Sequence, residues 1–199
     1  MPDAIFDIVL SGVGGQGVVT ASEILARAAL AEGADVKKSE VHGMAQRGGS
    51  VESQVRIGPR VHSPVIPEGG AGFMVGFEML EALRYAHRLM PGGTVILNML
   101  EIPPLSAASG PFGYPDDVGG RLAGLGLRVV GVPAREIAIQ AGDARAAGSV
   151  LLGVLSVFLP FKPASWGRGV HETFGDGVAE LNMEAFRMGR TWAKGKGPG

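Results

Sequence analysis

Two rhythms of apolar residues alternate along this chain. A continuous apolar run at residues 8–10 reads as a buried strand, and a helical pattern follows from Val18 through Leu25 and Ala28 to about Ala31. Gly33 closes that helix, and residues 35–41 read as a second strand. A crossover of this length is right-handed, which puts the second strand parallel beside the first. Between residues 51 and 57, Val51, Ser53, Val55 and Ile57 alternate with Glu52, Gln54 and Arg56, the period of a half-exposed strand. Gly58-Pro59-Arg60 turns it, and residues 61–66 are expected to pair back as a short antiparallel extension.

The second half continues in the same alternation. Residues 73–75 predict a buried strand, 78–89 a helix with Met79, Leu80, Leu83 and Ala86 on one face, and 94–98 another strand after the break Pro91-Gly92-Gly93. A loop rich in Pro, Gly, Ser and Ala spans 103–115; a helix over 117–125 and a strand over 127–132 follow. Residues 134–140 are helical, and a small-residue helix over 146–159 should be buried all round. Residues 160–169 read as loop. Val178, Leu181, Ala185, Phe186, Gly189 and Trp192 recur at helical spacing, before a tail, 195–199, that should fray. The pattern predicts one α/β domain over 1–199: three layers, α/β/α, around a mostly parallel sheet with a Rossmann-like start.

Two stretches carry candidate chemistry. The first, Ser11-Gly12-Val13-Gly14-Gly15-Gln16-Gly17, joins the first strand to the first helix and fits Gly-x-Gly-x-x-Gly at Gly12, Gly14 and Gly17. Such glycines supply positive φ, close approach of a ligand to bare backbone, or tight packing of helix on strand. The amides opening the helix favour an anion; equally, the turn is simply tight and holds nothing. The second stretch, residues 39–50, follows strand two and should face the glycine turn, since ligands bind at the carboxyl ends of such strands. It gathers Glu40, His42, Gln46 and Arg47 within eight positions, with Gly43, Gly48 and Gly49 permitting unusual backbone angles. Glu40 stands where a ribose-gripping acid would, which makes a nicotinamide domain the direct reading. The plainer reading pairs Glu40 with Arg47 to stiffen the loop and lets Met44 fill a core gap. His42 suits either a structural or a ligand-contacting role.

Composition narrows these choices. The 199 residues are 46% hydrophobic and 19% charged with a formal charge of −1, which gives no electrostatic reason for nucleic acid or an anionic membrane. Low charge favours burial against a partner. Cysteine is absent, so thiolates can ligate neither zinc nor an iron–sulfur cluster, and four scattered histidines show no metal spacing. The start is acidic and its apolar run short, unlike a secretory signal, and the apolar stretch 150–161 is too short for a bilayer. A cytoplasmic protein is expected.

Gly-Val-Gly-Gly-Gln-Gly-Val at 12–18 and Ser-Glu-Val-His-Gly-Met-Ala-Gln-Arg-Gly-Gly-Ser-Val at 39–51 resemble the gamma domain of 2-oxoacid:ferredoxin oxidoreductases. Within that family the likeness is greatest to the small (beta) subunits of the indolepyruvate type, and it runs from about Ile8 to Leu152. The resemblance implies a complex that oxidatively decarboxylates a 2-oxoacid, here an aryl pyruvate, to an acyl-CoA and reduces ferredoxin. Thiamine diphosphate, magnesium and the iron–sulfur clusters would belong to a large partner subunit, with coenzyme A as co-substrate and none of these groups held by this chain alone. Carried over, Gly12, Gly14, Gly15, Gln16 and Gly17 form one matching loop, and Glu40, His42, Gly43, Met44, Gln46, Arg47, Gly48, Gly49 and Ser50 the other. None is expected to be catalytic. One departure is Ala147-Gly148-Ser149, where many members carry an asparagine. Gly175-Asp176-Gly177 begins like a thiamine diphosphate motif, but Asn182 follows too soon, so it reads as a helix start.

The resemblance disfavours the nicotinamide reading. A stand-alone NAD(P)-dependent dehydrogenase and a non-catalytic α/β interaction module remain the alternatives. The apolar helix and the amphipathic last helix further suggest a homodimer in isolation.

Overall fold

The apolar run at residues 8–10 becomes the centre of β1 (Phe6–Val13), and α1 (Val18–Ala31) leaves it through the glycine turn. This is a computed structural model and describes residues 4–42, 48–103 and 113–196. There follow β2 (Asp35–His42), β3 (Ser50–Gly58), β4 (Ala71–Gly76), α2 (Met79–Arg84), β5 (Leu89–Asn98), α3 (Val118–Gly124), β6 (Arg128–Val132), α4 (Ala134–Ala141), α5 (Ala147–Leu155), α6 (Pro163–Phe174) and α7 (Asp176–Lys196). The six strands form one sheet in the order β2-β3-β1-β4-β5-β6. The β1–β4, β4–β5 and β5–β6 pairs are parallel, while β3 runs antiparallel to both β1 and β2.

That order corrects the expected neighbour of β1. Strand β2 does not lie beside it, because β3 folds back and inserts between them, pairing Ile8 with Val55 on one side and Lys38 on the other. A hairpin needs only a short turn, so β3 reaches the open edge of β1 more directly than a second crossover would. Nor is β3 half-exposed. Glu52 and Gln54 are buried, because residues 59–66 and a 3-10 turn at Ala86–Arg88 cover that face. Residues 61–66 form no strand; instead, the Val61 amide donates to the Asp35 carboxylate and the Ile66 amide to the Gln54 side-chain oxygen.

The helices divide unequally between the two faces. One core unites α1, α4, α5, α6 and α7 with the inward side chains of β1 and β3; the other holds α2 and α3 against Val9, Met74 and Val95. Helix α5 is apolar all round because α7 crosses its outer side. A Cβ at Gly153 would stand 2.1 Å from the Phe186 carbonyl oxygen, and one at Gly189 2.2 Å from that of Val150. Only bare backbone on both helices permits that approach.

Residues 160–169, read as loop, contain the first part of α6. Pro163 occupies its first turn, Trp166 and Val170 share its buried face, and Gly169 lets it pack on α1, where a Cβ would stand 2.6 Å from the Ile24 carbonyl oxygen. Its glycines hid the helix from the propensity pattern. Trp166 is fully buried, with Phe161 and Phe186 at ring-centroid distances of 5.9 and 5.3 Å. Two further helices are shorter than expected: the 78–89 pattern ends at Arg84, and the 146–159 pattern at Leu155. No helix among the described residues is long and apolar enough to cross a membrane.

Candidate functional site

The glycines of the first motif answer two physical demands, close packing and positive φ. Gly12 is required by packing: a Cβ there would come within 2.8 Å of Phe77 Cβ and of the Gln16 side-chain oxygen. Gly15 and Gly17 have φ of 101° and 85°, the left-handed region that excludes most side chains. Gln16 is absorbed into the turn, its Oε1 accepting from the Val13 amide at 2.7 Å and its Nε2 donating to the Phe77 carbonyl at 3.3 Å. Gly17 caps α1 without a side-chain bond, and the first turn of that helix carries no acid. Its opening amides are therefore left facing outward with their partial positive charge.

The second motif meets the first at its far end. The Gly14 amide donates to the Gly49 carbonyl at 2.7 Å and the Gly48 amide to the Gly14 carbonyl at 3.3 Å, with Gly48 at φ 76°. The expected facing of the two loops thus holds through Gly48 and Gly49, and it does so because β3 pairs with β1 up to Val13 opposite Ser50. Ser50 donates to the buried Glu81 and lies 3.0 Å from the Tyr85 hydroxyl, so it anchors the turn to α2. His42 ends β2 opposite Val51. Gly43, Met44, Gln46 and Arg47 lie outside the described residues.

Glu40 sits elsewhere. Its carboxylate pairs with Lys38 at 2.8 Å, and Lys38 also reaches Glu23 of α1 at 2.9 Å. The inserted β3 puts β2 two strand spacings, about 10 Å, from β1, where a ribose-gripping acid would need to be one spacing away. The geometry behind the nicotinamide reading is therefore missing.

The carboxyl ends of all four parallel-paired strands instead enclose a cleft of about 350 Å³. Gly15, Gln16 and Gly17 follow β1; Phe77 follows β4; Asn98 and Leu100 stand at the end of β5; Arg135, Ala144, Arg145 and Ala147 follow β6. Of these only the glycine turn was expected. The others are legible in a sequence only once each strand's end is known to open onto one crevice. Asn98 donates to the Phe77 carbonyl at 2.9 Å, the same oxygen that accepts from Gln16. Arg145 pairs with Asp143 at 2.6 Å; each holds the other's charge, raising the guanidinium's pKa and lowering the carboxyl's.

A smaller recess continues the cleft past Gly17 and Arg145 to Ser149, whose hydroxyl donates to Asn182 of α7 at 2.7 Å. An amide side chain therefore does stand beside residues 147–149, delivered by a different helix. The cleft's other border is fastened by Glu78, which accepts from Tyr114 at 2.5 Å and from the Ile102 and Glu81 amides. Burial, and then the neighbouring Glu78, push the Tyr114 hydroxyl's pKa up. Among the described residues no group of three or more histidines or carboxylates is placed to hold a metal ion.

A family model described as pyruvate ferredoxin/flavodoxin oxidoreductase matches residues 7–192. The chain belongs to the pyruvate ferredoxin/flavodoxin oxidoreductase family. The match runs through α6 and into α7, beyond the point near Leu152 where the motif resemblance ended, so the last two helices are part of the family's domain. An Archaeoglobus fulgidus protein, indolepyruvate oxidoreductase subunit IorB, is 46% identical over 187 residues, 92% of each chain. The fold matches the gamma subunit of a keto/oxoacid ferredoxin oxidoreductase from Geobacter sulfurreducens, with a TM-score of 0.72 at 22% identity over 96% of this chain and 99% of that one. It also matches 2-oxoglutarate:ferredoxin oxidoreductase from Magnetococcus marinus, with a TM-score of 0.76 at 20% identity, where 98% of this chain covers 32% of that one. The fold thus occurs both as a separate chain and within a longer one.

Proposed function

We propose that this chain is the small subunit of an indolepyruvate-type 2-oxoacid:ferredoxin oxidoreductase, which converts an aryl pyruvate to its acyl-CoA and passes electrons to ferredoxin. The observation that carries the reading is 46% identity to an indolepyruvate oxidoreductase subunit across 92% of both chains. Thiamine diphosphate, magnesium and the iron–sulfur clusters belong, on this reading, to a large partner subunit. A chain without cysteine cannot hold a cluster through thiolates. Gly175-Asp176-Gly177, the one stretch that begins like a thiamine motif, is the start of α7, with Gly175 at φ 70°.

The two glycine-rich loops, joined through Gly14, Gly48 and Gly49, are the surface we assign to coenzyme A or to the partner chain. Arg47, four residues before Val51, would bring its planar guanidinium to that surface. A homodimer of the isolated chain would rest on exposed residues such as Met90 and Leu125. The apolar helix α5 cannot supply it, since α7 already covers that helix.

Co-expression with a large thiamine-dependent subunit tests the reading. The two chains should co-purify, and the complex alone should reduce ferredoxin with an aryl pyruvate and coenzyme A. Turnover by this chain alone, with thiamine diphosphate and a dye acceptor, would overturn it. Within the active complex, Arg47→Lys should lower activity without moving the melting temperature, whereas Glu40→Gln should leave activity unchanged.

A further inference from the structure

The two edges of the sheet are built differently. At one edge, β2 sets Asp35, Lys37, Lys38 and Glu40 along its length. Charges on an edge strand discourage pairing with another chain. At the other edge, β6 reads Arg128-Val129-Val130-Gly131-Val132, with no charge after its first residue. Its register with β5 runs unbroken from Thr94–Arg128 to Asn98–Val132, so no bulge twists it away. Among the described residues nothing pairs with its outer side. Exposed apolar side chains collect around it: Leu125 just before it, Met99 beside Gly131, and Ile139 on the helix that follows.

The backbone of β6 selects what fits there. The Met99 amide donates to the Val132 carbonyl, so Val132, and with it Val130 and Arg128, turn their amides and carbonyls toward β5. Val129 and Gly131 turn theirs outward. A second β6 laid antiparallel, centred on Val130, brings Val129 of each copy opposite Gly131 of the other. Each of those pairs then exchanges both backbone bonds, and the two Val130 side chains meet on the axis.

The same two-fold arrangement answers Arg128. Its guanidinium lies 5.5 Å over the Phe158 ring, and its Nε and Nη2 have no hydrogen-bond partner among the described residues. In the pair it stands opposite Val132 of the second copy, on the strand that leads into α4. Glu136, exposed in the first turn of that helix, has no ion-pair partner among the described residues. Each copy thus offers one cation and one acid in places that the two-fold exchanges, the mark of an isologous contact.

We propose that a second copy of this chain pairs with the outer edge of β6, joining two six-stranded sheets into one through an antiparallel contact centred on Val130. The contact rests on the homodimer proposed above and gives it a defined surface.

Because the chain has no cysteine, Val130→Cys introduces its single thiol. The central residues of such a pair lie about 4.5 Å apart between Cα atoms, within reach of a disulfide. Mild oxidation of the full chain should cross-link it to a dimer, whereas Lys37→Cys on the other edge should stay uncoupled. In sedimentation the unmodified chain should run as a dimer. Gly131→Pro removes an outward amide while sparing every bond to β5, and should weaken the dimer about tenfold or more. Glu136→Arg should weaken it too, and adding Arg128→Glu should restore it, with melting temperatures showing that each variant is folded. A dimer that ignores Gly131→Pro and gives no Val130→Cys cross-link lies on another surface; that result overturns the edge contact and keeps the homodimer. A monomeric chain overturns both. A cross-link formed by the isolated chain but not by the co-purified complex gives the edge to the larger subunit and overturns the contact as well.

Discussion

The two faces of the sheet are held by different means. On the face covered by α1 and α4–α7, contact is apolar and close: glycines at 153, 169 and 189 bring helix backbones together, and Trp166 fills the space between Phe161 and Phe186. On the other face, beside the α2–α3 core, β3 presents Glu52 and Gln54 to a cover of loop and 3-10 turn. There Glu52 is bound by Arg88 at 3.0 Å and by Gln54 at 2.9 Å, and Glu78 and Glu81 fasten neighbouring segments. Glycine contacts suit helices, whose own backbone bonds are already made. A covering loop must have its free amides and carbonyls satisfied by side chains, and buried acids and amides do that.

The contrast breaks most sharply at Trp166. Trp166→Ala should cost about 3–5 kcal/mol, read as a lowered denaturation midpoint with the cleft's distant rim still formed. Gly189→Val should follow, at about 3 kcal/mol, because the added side chain meets the α5 backbone and not a movable side chain. A loss below about 1 kcal/mol in chemical denaturation would mean that α7 is free to lift from α5.

On the polar face, Arg88→Met leaves the buried Glu52 without its cation and should cost about 3 kcal/mol. Adding Glu52→Leu should recover most of that loss, since two well-packed apolar groups replace a buried pair. Failure of the double variant to recover would show that the ion pair also holds Gln54 and, through it, the covering loop at Ile66. Tyr114→Phe removes one bond to Glu78 and should cost about 1 kcal/mol. It should also raise amide exchange at Ile102, whose amide donates to the same Glu78 oxygen as Tyr114.

The smallest effect belongs to the half-exposed Glu23–Lys38–Glu40 chain at the sheet's edge. Bonding to Lys38 holds the Glu23 carboxyl below its usual 4.5, and the two carboxylates hold Lys38 above 10.5 despite partial burial. The Glu23 contribution is complete above pH 4.5 and is lost as pH falls through its depressed value. The Lys38 contribution is complete below pH 10.5 and is lost as pH rises through its raised one. Lys38→Met should therefore cost no more than about 1 kcal/mol between those limits, and the difference should close in acid. A gap that persists at pH 2 would trace to packing of the lysine stem.

Much of the domain was legible in the residues because it is written locally. The apolar runs of β1, β4 and β5, the period of α1 and α7, and the glycine turn between β1 and α1 follow from side-chain pattern and backbone sterics within a dozen residues. The long motif at 39–51 likewise pointed to the right family. The place of β3 between β1 and β2, the burial of Glu52 and Gln54, and the pairing of Glu40 with Lys38 were decided by which strand edge was free, a fact no local window holds. Helix α6 escaped the pattern for the same reason: its glycines weaken propensity, and only contact with α1 makes them favourable. The cleft is the extreme case. Its walls come from four strand ends spread over more than a hundred positions, so Asn98, Arg135 and Arg145 share a site only after the sheet has ordered itself. Pattern and sterics act along the chain, whereas strand order, burial of polar groups and the meeting of distant arginines are properties of the packed whole.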